Sequence, residues 1–284
     1  MTQSFDTEIK YIAAPNKTLK IDGVAFAYRE LGRKGGVPLI LLNHWGAVLD
    51  NFDPRIVDEL AKHHHVIATD YRGVGLSGGV APLTVAEMAR DCVAFIKALD
   101  FDKVDLFGFS LGGFVAQQIA ITQPGLVRKL ILTGTGPAGG KGIDQVAVVS
   151  MPLIERATSE GIDPKTYLFF TSSEASQQAA NAFLKAMLER QTDRDVPVTQ
   201  EVFGRQLQAI QAWGQQAPQD LSSLDIPVLI ANGDQDIMVP SELSSDMAER
   251  IPGSTLVIYE DAGHGGIFQN HADFSAKALA FLAA

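Results

Sequence analysis

The 284-residue sequence holds a single cysteine, Cys92. No disulfide can close within the chain, and a cysteine-based metal site is not expected. Positive charge is also scarce: 23 Lys and Arg face 33 Asp and Glu, for a formal net charge of −10. Such a surface repels polyanions, so neither nucleic acid nor an anionic membrane is expected as a partner. No apolar run approaches the roughly 20 residues needed to cross a bilayer. The opening stretch MTQSFDTEIK lacks the apolar core of a secretory signal. These absences together predict a cytoplasmic protein. Internal repeats and low-complexity tracts are missing as well. What remains is 46% hydrophobic and 20% charged. That balance suits a globular protein with a full core, long enough for one large α/β domain with an insertion or for two small domains.

One stretch organises the rest: residues 103–115, KVDLFGFSLGGFV. Val104, Leu106, Phe107 and Phe109 make a short apolar run, long enough for a buried strand. Gly108-Phe109-Ser110-Leu111-Gly112 follows, in the pattern G-x-S-x-G, and residues 113–120 then read as a helix. Strand, sharp turn and helix in that order form a nucleophile elbow. The glycines two residues either side of the serine let neighbouring segments approach without a Cβ clash. The serine Oγ is then held at the C-terminal edge of a sheet, above a helix N-terminus whose free N–H groups suit a developing anion.

Residues 9–13 and 19–30 alternate apolar and polar side chains, with Asp22-Gly23 inside the second stretch. That predicts a hairpin or meander at a sheet edge. Residues 38–42, PLILL, are continuously apolar, as in a strand covered on both faces. Asp53-Pro54 opens a helix running to Leu60, and residues 65–70 form a strand. Thr84 caps a helix reaching Leu99, with Met88, Cys92, Phe95, Ile96 and Leu99 on one face. After the elbow comes a strand at 129–133. Strands and helices alternating at this spacing predict βαβ units and a parallel sheet. The alternation stops near Gly139. Only helices are expected from 143 to 219, with candidates at 153–157, 164–170, 177–190 and 199–213. It resumes with a strand at 226–231, a helix at 241–250, a strand at 255–259 and a closing helix at 272–282.

The chain resembles an α/β-hydrolase over nearly its whole length. The resemblance rests on the elbow, on Asp70-x-Arg72-Gly73-x-Gly75-x-Ser77, on residues 233–240 (GDQDIMVP) and on Gly263-His264-Gly265. It implies a mostly parallel, doubly wound α/β sheet of about eight strands, with a helical cap inserted after strand 6. The expected division is 1–138 and 220–284 for the core and 139–219 for the cap. The loop from Asp70 to Ser77 is expected to be a structural turn, with Arg72 bracing the loops near the nucleophile.

Six histidines compete for the role of base. His63, His64 and His65 are consecutive, so their side chains diverge on an extended chain, and no acid or cysteine is spaced to complete a metal site. They are expected at a solvated helix end, and His271 is expected on the surface. His264 follows a strand and is flanked by Gly263, Gly265 and Gly266, which permit a tight loop able to lower the ring onto Ser110. The resemblance implies that His264 is the base. The loop after the strand at 226–231 carries both Asp234 and Asp236. Proximity cannot choose between them, but the family's spacing implies Asp236, followed by Val239-Pro240, with Asp234 as a turn residue. The same family pattern implies an oxyanion hole built from the backbone N–H groups of Leu111 and Trp45. His44 stands where relatives usually have glycine, which leaves that register open by one residue.

The expected activity is hydrolysis of a carboxylic ester or lactone of a small, largely apolar molecule through an acyl-Ser110 intermediate. Neither cofactor nor metal is expected. The partner is a small-molecule substrate, and the protein is expected as a monomer or homodimer. His44, Met151, Leu153, Phe169, Phe170, Trp213, Ile237, Met238 and Ile267 are the candidate substrate-binding residues. The same triad in relatives also cleaves carbon–carbon bonds or forms peracids, and a slow receptor on a hydrolase scaffold is a further alternative.

Overall fold

A hairpin begins the sheet in the computed structural model, which describes residues 9–284. Most of the polar opening stretch, residues 1–8, lies outside the described residues. Strands β1 (Lys17–Ile21) and β2 (Val24–Leu31) pair antiparallel across Asp22-Gly23. Both turn residues have positive φ, 48° and 85°, which is the geometry a two-residue turn needs to match strand twist. Residues 9–13 do not extend the hairpin as expected. They form a single tight turn at Tyr11–Ala13. Tyr11 explains this: its ring is buried and its hydroxyl donates to the Leu49 carbonyl at 2.7 Å, so the chain folds down instead of running along the edge.

The remaining strands are β3 (Leu39–Leu42), β4 (Val66–Thr69), β5 (Val104–Phe109), β6 (Val127–Thr133), β7 (Val228–Gly233) and β8 (Thr255–Tyr259). The eight strands lie in the order β1-β2-β4-β3-β5-β6-β7-β8. From β4 to β8 every pairing is parallel; β2 meets β4 antiparallel. Every residue of β3, β4, β5 and β7 is buried, which is why these strands read as mostly apolar runs. Helices α1 (Pro54–Ala61), α2 (Val85–Ala98) and α3 (Leu111–Thr122) connect the early strands. Thr84 caps α2 by accepting from the Glu87 N–H, with Glu87 reaching back to the Thr84 hydroxyl. The order of the chain reverses around β3, with β4 on one side and β5 on the other. Open α/β sheets place their ligands at such a switch point, beyond the carboxyl ends of the strands. Here those ends lead into Asn43 and Ser110.

Between β6 and β7 the longer regular elements are all helices: α4 (Val146–Glu160), α5 (Lys165–Leu168), α6 (Glu174–Met187) and α7 (Gln200–Gly214). No strand interrupts residues 139–219. Trp213 anchors this insertion. It is fully buried, stacks on Phe114 of α3 at 5.6 Å and donates its indole N–H to the Gly136 carbonyl at 3.3 Å. Phe183 of α6 stacks on Phe268 at 4.6 Å. Arg190 donates to the carbonyls of Ile12 and Ala14. The Asp195 N–H donates to Asp50 at 3.0 Å, while Asp50 is paired with the fully buried Arg29 at 2.6 Å. Beside them lies a buried acid pair, Asp70 and Asp195. A Cβ on Gly75 would stand 2.4 Å from Asp70 Oδ2 and 2.6 Å from Asp195 Oδ1, so that glycine is required by the two carboxyl groups packed over it.

After β7 come α8 (Glu242–Arg250), then β8, a one-turn helix α9 (Gly266–Gln269) and α10 (His271–Ala283). The sequence pattern does not reveal α9. No helix among the described residues is long and apolar enough to cross a membrane.

Candidate active site

Ser110 joins β5 to α3 with φ 56° and ψ −119°, a conformation that non-glycine residues hold only when their surroundings enforce it. Three hydrogen bonds do so. The Ser110 N–H donates to Thr133 O at 2.9 Å, while its carbonyl accepts from the Thr135 hydroxyl at 2.9 Å and the Gly113 N–H at 2.8 Å. The elbow glycines are dictated by crowding. A Cβ on Gly112 would lie 2.0 Å from the Leu42 carbonyl oxygen, and one on Gly108 would lie 2.3 Å from the Gly112 oxygen.

His264 is buried in the loop after β8, and its Nδ1 lies 2.7 Å from Asp236 Oδ2. Oδ1 of the same carboxylate accepts from the N–H groups of Met238 at 2.8 Å and Val239 at 3.0 Å. Those two amides fix the carboxylate in place. With Nδ1 engaged, Nε2 is the nitrogen left for other partners, and His264 and Ser110 line one cavity. Asp234 is exposed and does something else: its carboxylate accepts from the Ala262 N–H at 3.1 Å, tying the β7 loop to the β8 loop.

The loop after β3 leaves one amide unused. The His44 N–H donates to Asn43 Oδ1 at 2.9 Å and the Gly46 N–H to Gln206 Oε1 at 2.9 Å. Between them, the Trp45 N–H has no acceptor among the described residues, and neither does the Leu111 N–H at the start of α3. The Trp45 side chain is occupied: its ring stacks on Phe203 at 4.1 Å and its indole N–H donates to the Phe203 carbonyl at 2.8 Å. His44 Nδ1 lies 2.8 Å from the Trp45 carbonyl, which must be the acceptor, so the ring carries its proton on Nδ1. Burial, then the Lys165 cation, then His264 push the His44 imidazole down to about 3. It is neutral throughout the physiological range.

The cavity is about 170 Å3 in volume, close to one known to hold benzene. Of the nine candidate substrate-binding residues, His44, Phe169 and Met238 line it. The other six lie elsewhere. Met151 and Ile237 are exposed. Phe170 packs against Phe183, Trp213 against Phe114, and Ile267 is buried. Leu153 packs against the core from α4. Residues that the sequence pattern does not single out complete the wall, namely Gly46, Ile154, Asp163, Pro164, Lys165, Leu168 and Phe203. The one available signal for Lys165 is a cation inside the aromatic run 164–170.

The other sequence candidates separate clearly. Arg72 turns away to pair with Asp91 of α2, so it braces that helix and not the nucleophile loop. His63 is exposed, whereas His65 is buried and lies 2.6 Å from Glu30 Oε2, which corrects the expectation of a solvated run. His271 is half-buried at the start of α10. No group of three or more His, Cys, Asp or Glu suited to a metal ion occurs among the described residues.

Residues 37–271 match the profile of a family described as the alpha/beta hydrolase fold. A solved alpha/beta hydrolase fold protein from Chitinophaga pinensis superposes with a TM-score of 0.91 at 36% identity, covering 96% of this chain and 99% of that one. The sequence is 28% identical over 265 residues to a Rhizobium rhizogenes protein named as a carbamate hydrolase, covering 91% of this chain and 97% of that one. It is 27% identical over 250 residues to the pimeloyl-[acyl-carrier protein] methyl ester esterase of Aliivibrio salmonicida, covering 87% and 92%.

Proposed function

Because the chain belongs to the alpha/beta hydrolase fold family, we propose that it hydrolyses a carboxylic ester or lactone of a small molecule, with Ser110 as nucleophile. The observation that carries the reading is the 2.7 Å contact between His264 Nδ1 and Asp236, in a ring that lines one cavity with Ser110. His264 Nε2 takes the Ser110 proton as Oγ attacks the acyl carbon. Asp236 holds the tautomer and stabilises the imidazolium that forms. The new oxyanion rests on the Trp45 and Leu111 N–H groups, which have no acceptor among the described residues. The tetrahedral intermediate collapses, and His264 returns the proton to the departing alkoxide. Water then adds to the acyl-Ser110 with His264 as base, releasing the acid and restoring the serine.

The helical insertion, 139–219, is the cap of this site: Ile154, Leu168, Phe169 and Phe203 bring its apolar side chains to the cavity. The apolar lining suits a compact organic acyl or alcohol group. A relative named as a methyl ester esterase supports ester chemistry.

The test is turnover of esters, lactones, carbamates and dienoic ketones by the wild type and by Ser110→Ala. Sustained ester or lactone hydrolysis is expected, with a serine-directed phosphonate labelling Ser110. The alanine variant should lose turnover while its Tm stays within a few degrees, since alanine removes no contact that holds the fold. Full activity in Ser110→Ala, or a single burst without turnover in the wild type, sinks the reading.

A further inference from the structure

Lys165, the first residue of α5, lines the cavity beside Ser110 and has no part in the steps above. Its side chain is 19% exposed. Its carboxylate neighbour is Asp163, at 3.4 and 3.5 Å, which is wider than the roughly 2.7–2.9 Å of a committed ammonium–carboxylate bond. Asp163 is already engaged. Its Oδ1 accepts the Lys165 N–H at 2.9 Å and caps the short helix, and its side chain is 37% exposed against 19% for the lysine. Both residues line the cavity, the acid being the more exposed of the two.

Apart from Asp163, no acidic residue among the described residues lines the cavity. His44 is neutral, and Lys165 is the largest charge effect keeping it so. Asp236 is held by His264 and by two backbone amides. Among the described residues lining the cavity, Lys165 is the one lysine or arginine. A half-buried lysine beside the cavity, with a loose partner, can pair with an anion brought by a ligand. A site with such a group rejects analogues that leave it unpaired far more strongly than an apolar wall rejects a missing methylene.

We propose that Lys165 determines specificity by binding a free carboxylate on the substrate, so that the preferred substrates are short esters carrying a second acid group, such as half-esters of dicarboxylic acids. A cavity of about 170 Å3 favours short chains over long ones. This rests on the reading of Ser110 as the acylated nucleophile.

The experiment compares kcat/KM for the monomethyl and dimethyl esters of succinate, glutarate and adipate. Wild type is expected to favour the half-ester by tenfold or more at one chain length, with the difference in KM. Lys165→Met should collapse that ratio to about one, and Lys165→Arg should retain part of it. A wild-type ratio near or below one, or a ratio unchanged in Lys165→Met, overturns the proposal. Binding separates this from failure of the ester reading. Glutarate titrated calorimetrically into the Ser110→Ala protein should bind at least tenfold more tightly than into Ser110→Ala with Lys165→Gln. Binding with no ester turnover by the wild type would discard the ester chemistry and keep the carboxylate site. Equal or absent glutarate binding in both proteins overturns the site itself.

Discussion

Asp234 and Asp236 stand two residues apart and differ in what their oxygens meet. Asp236 is buried against His264 and two amides, whereas Asp234 is exposed and ties two loops together. Asp236→Asn keeps the shape but presents an amide to Nδ1, which favours the wrong tautomer of His264. The expected loss is about 10³–10⁴ in kcat with the fold retained. Asp234→Asn keeps an oxygen for the Ala262 N–H, so it should cost at most about 1 kcal/mol in urea unfolding and little rate. Reversed rate losses would make Asp234 the acid. At this scale the sequence was informative wherever backbone geometry restricts residue type. The elbow needs glycine at 108 and 112 because a Cβ there would strike backbone. Lys165 was illegible because its meaning depends on how a four-residue helix docks, and nothing in its neighbours' types records that.

Elements buried on both faces were legible for a related reason. Strands β3, β4, β5 and β7 leave no position for a polar side chain at their centres, so their runs announce them, with ends displaced by a residue or two. Helix α4 was not legible in full. It runs from Val146 to Glu160, yet Val148, Val149 and Met151 are apolar and exposed, and Pro152 lies within it. Those residues blur the helical period and suggest a break where there is none. Helix α7 carries the firmest link between insertion and core, the buried Trp213. Trp213→Ala removes the stack on Phe114 and the bond to Gly136, and should cost about 3–5 kcal/mol. Hydrogen exchange should then quicken across residues 143–214 before it does in β5 and β6. Uniform loss of protection in every element would show that the insertion has no stability of its own to lose.

Across the whole molecule, the buried pair Asp70 and Asp195 couples the loop after β4 to the insertion. Burial, then a hydrogen bond with Asp195 and its charge, raise the Asp70 carboxyl well above the usual carboxylate range, against the pull of Arg29. An acid whose value is raised on folding favours the folded state at low pH, and that contribution is lost as pH rises through the folded value. Asp70→Asn stays neutral and can donate to Asp195. Its stability advantage over wild type should therefore grow from pH 5 toward pH 8 in chemical unfolding, at a slope of at most about 1.4 kcal/mol per pH unit, the limit for a single proton. Parallel pH profiles for the two proteins would refute this coupling. The same architecture draws the reaction's parts from far along the chain. Ser110 lies before the midpoint, while the Gly265 N–H, next to His264, closes onto the Phe169 carbonyl at 2.8 Å. During synthesis the strained serine therefore emerges long before its base. If the proposed roles hold, a polypeptide released short of residue 264 would present Ser110 with nothing to deprotonate it, and activity should appear only once the ribosome has delivered the last strand and the loop beyond it.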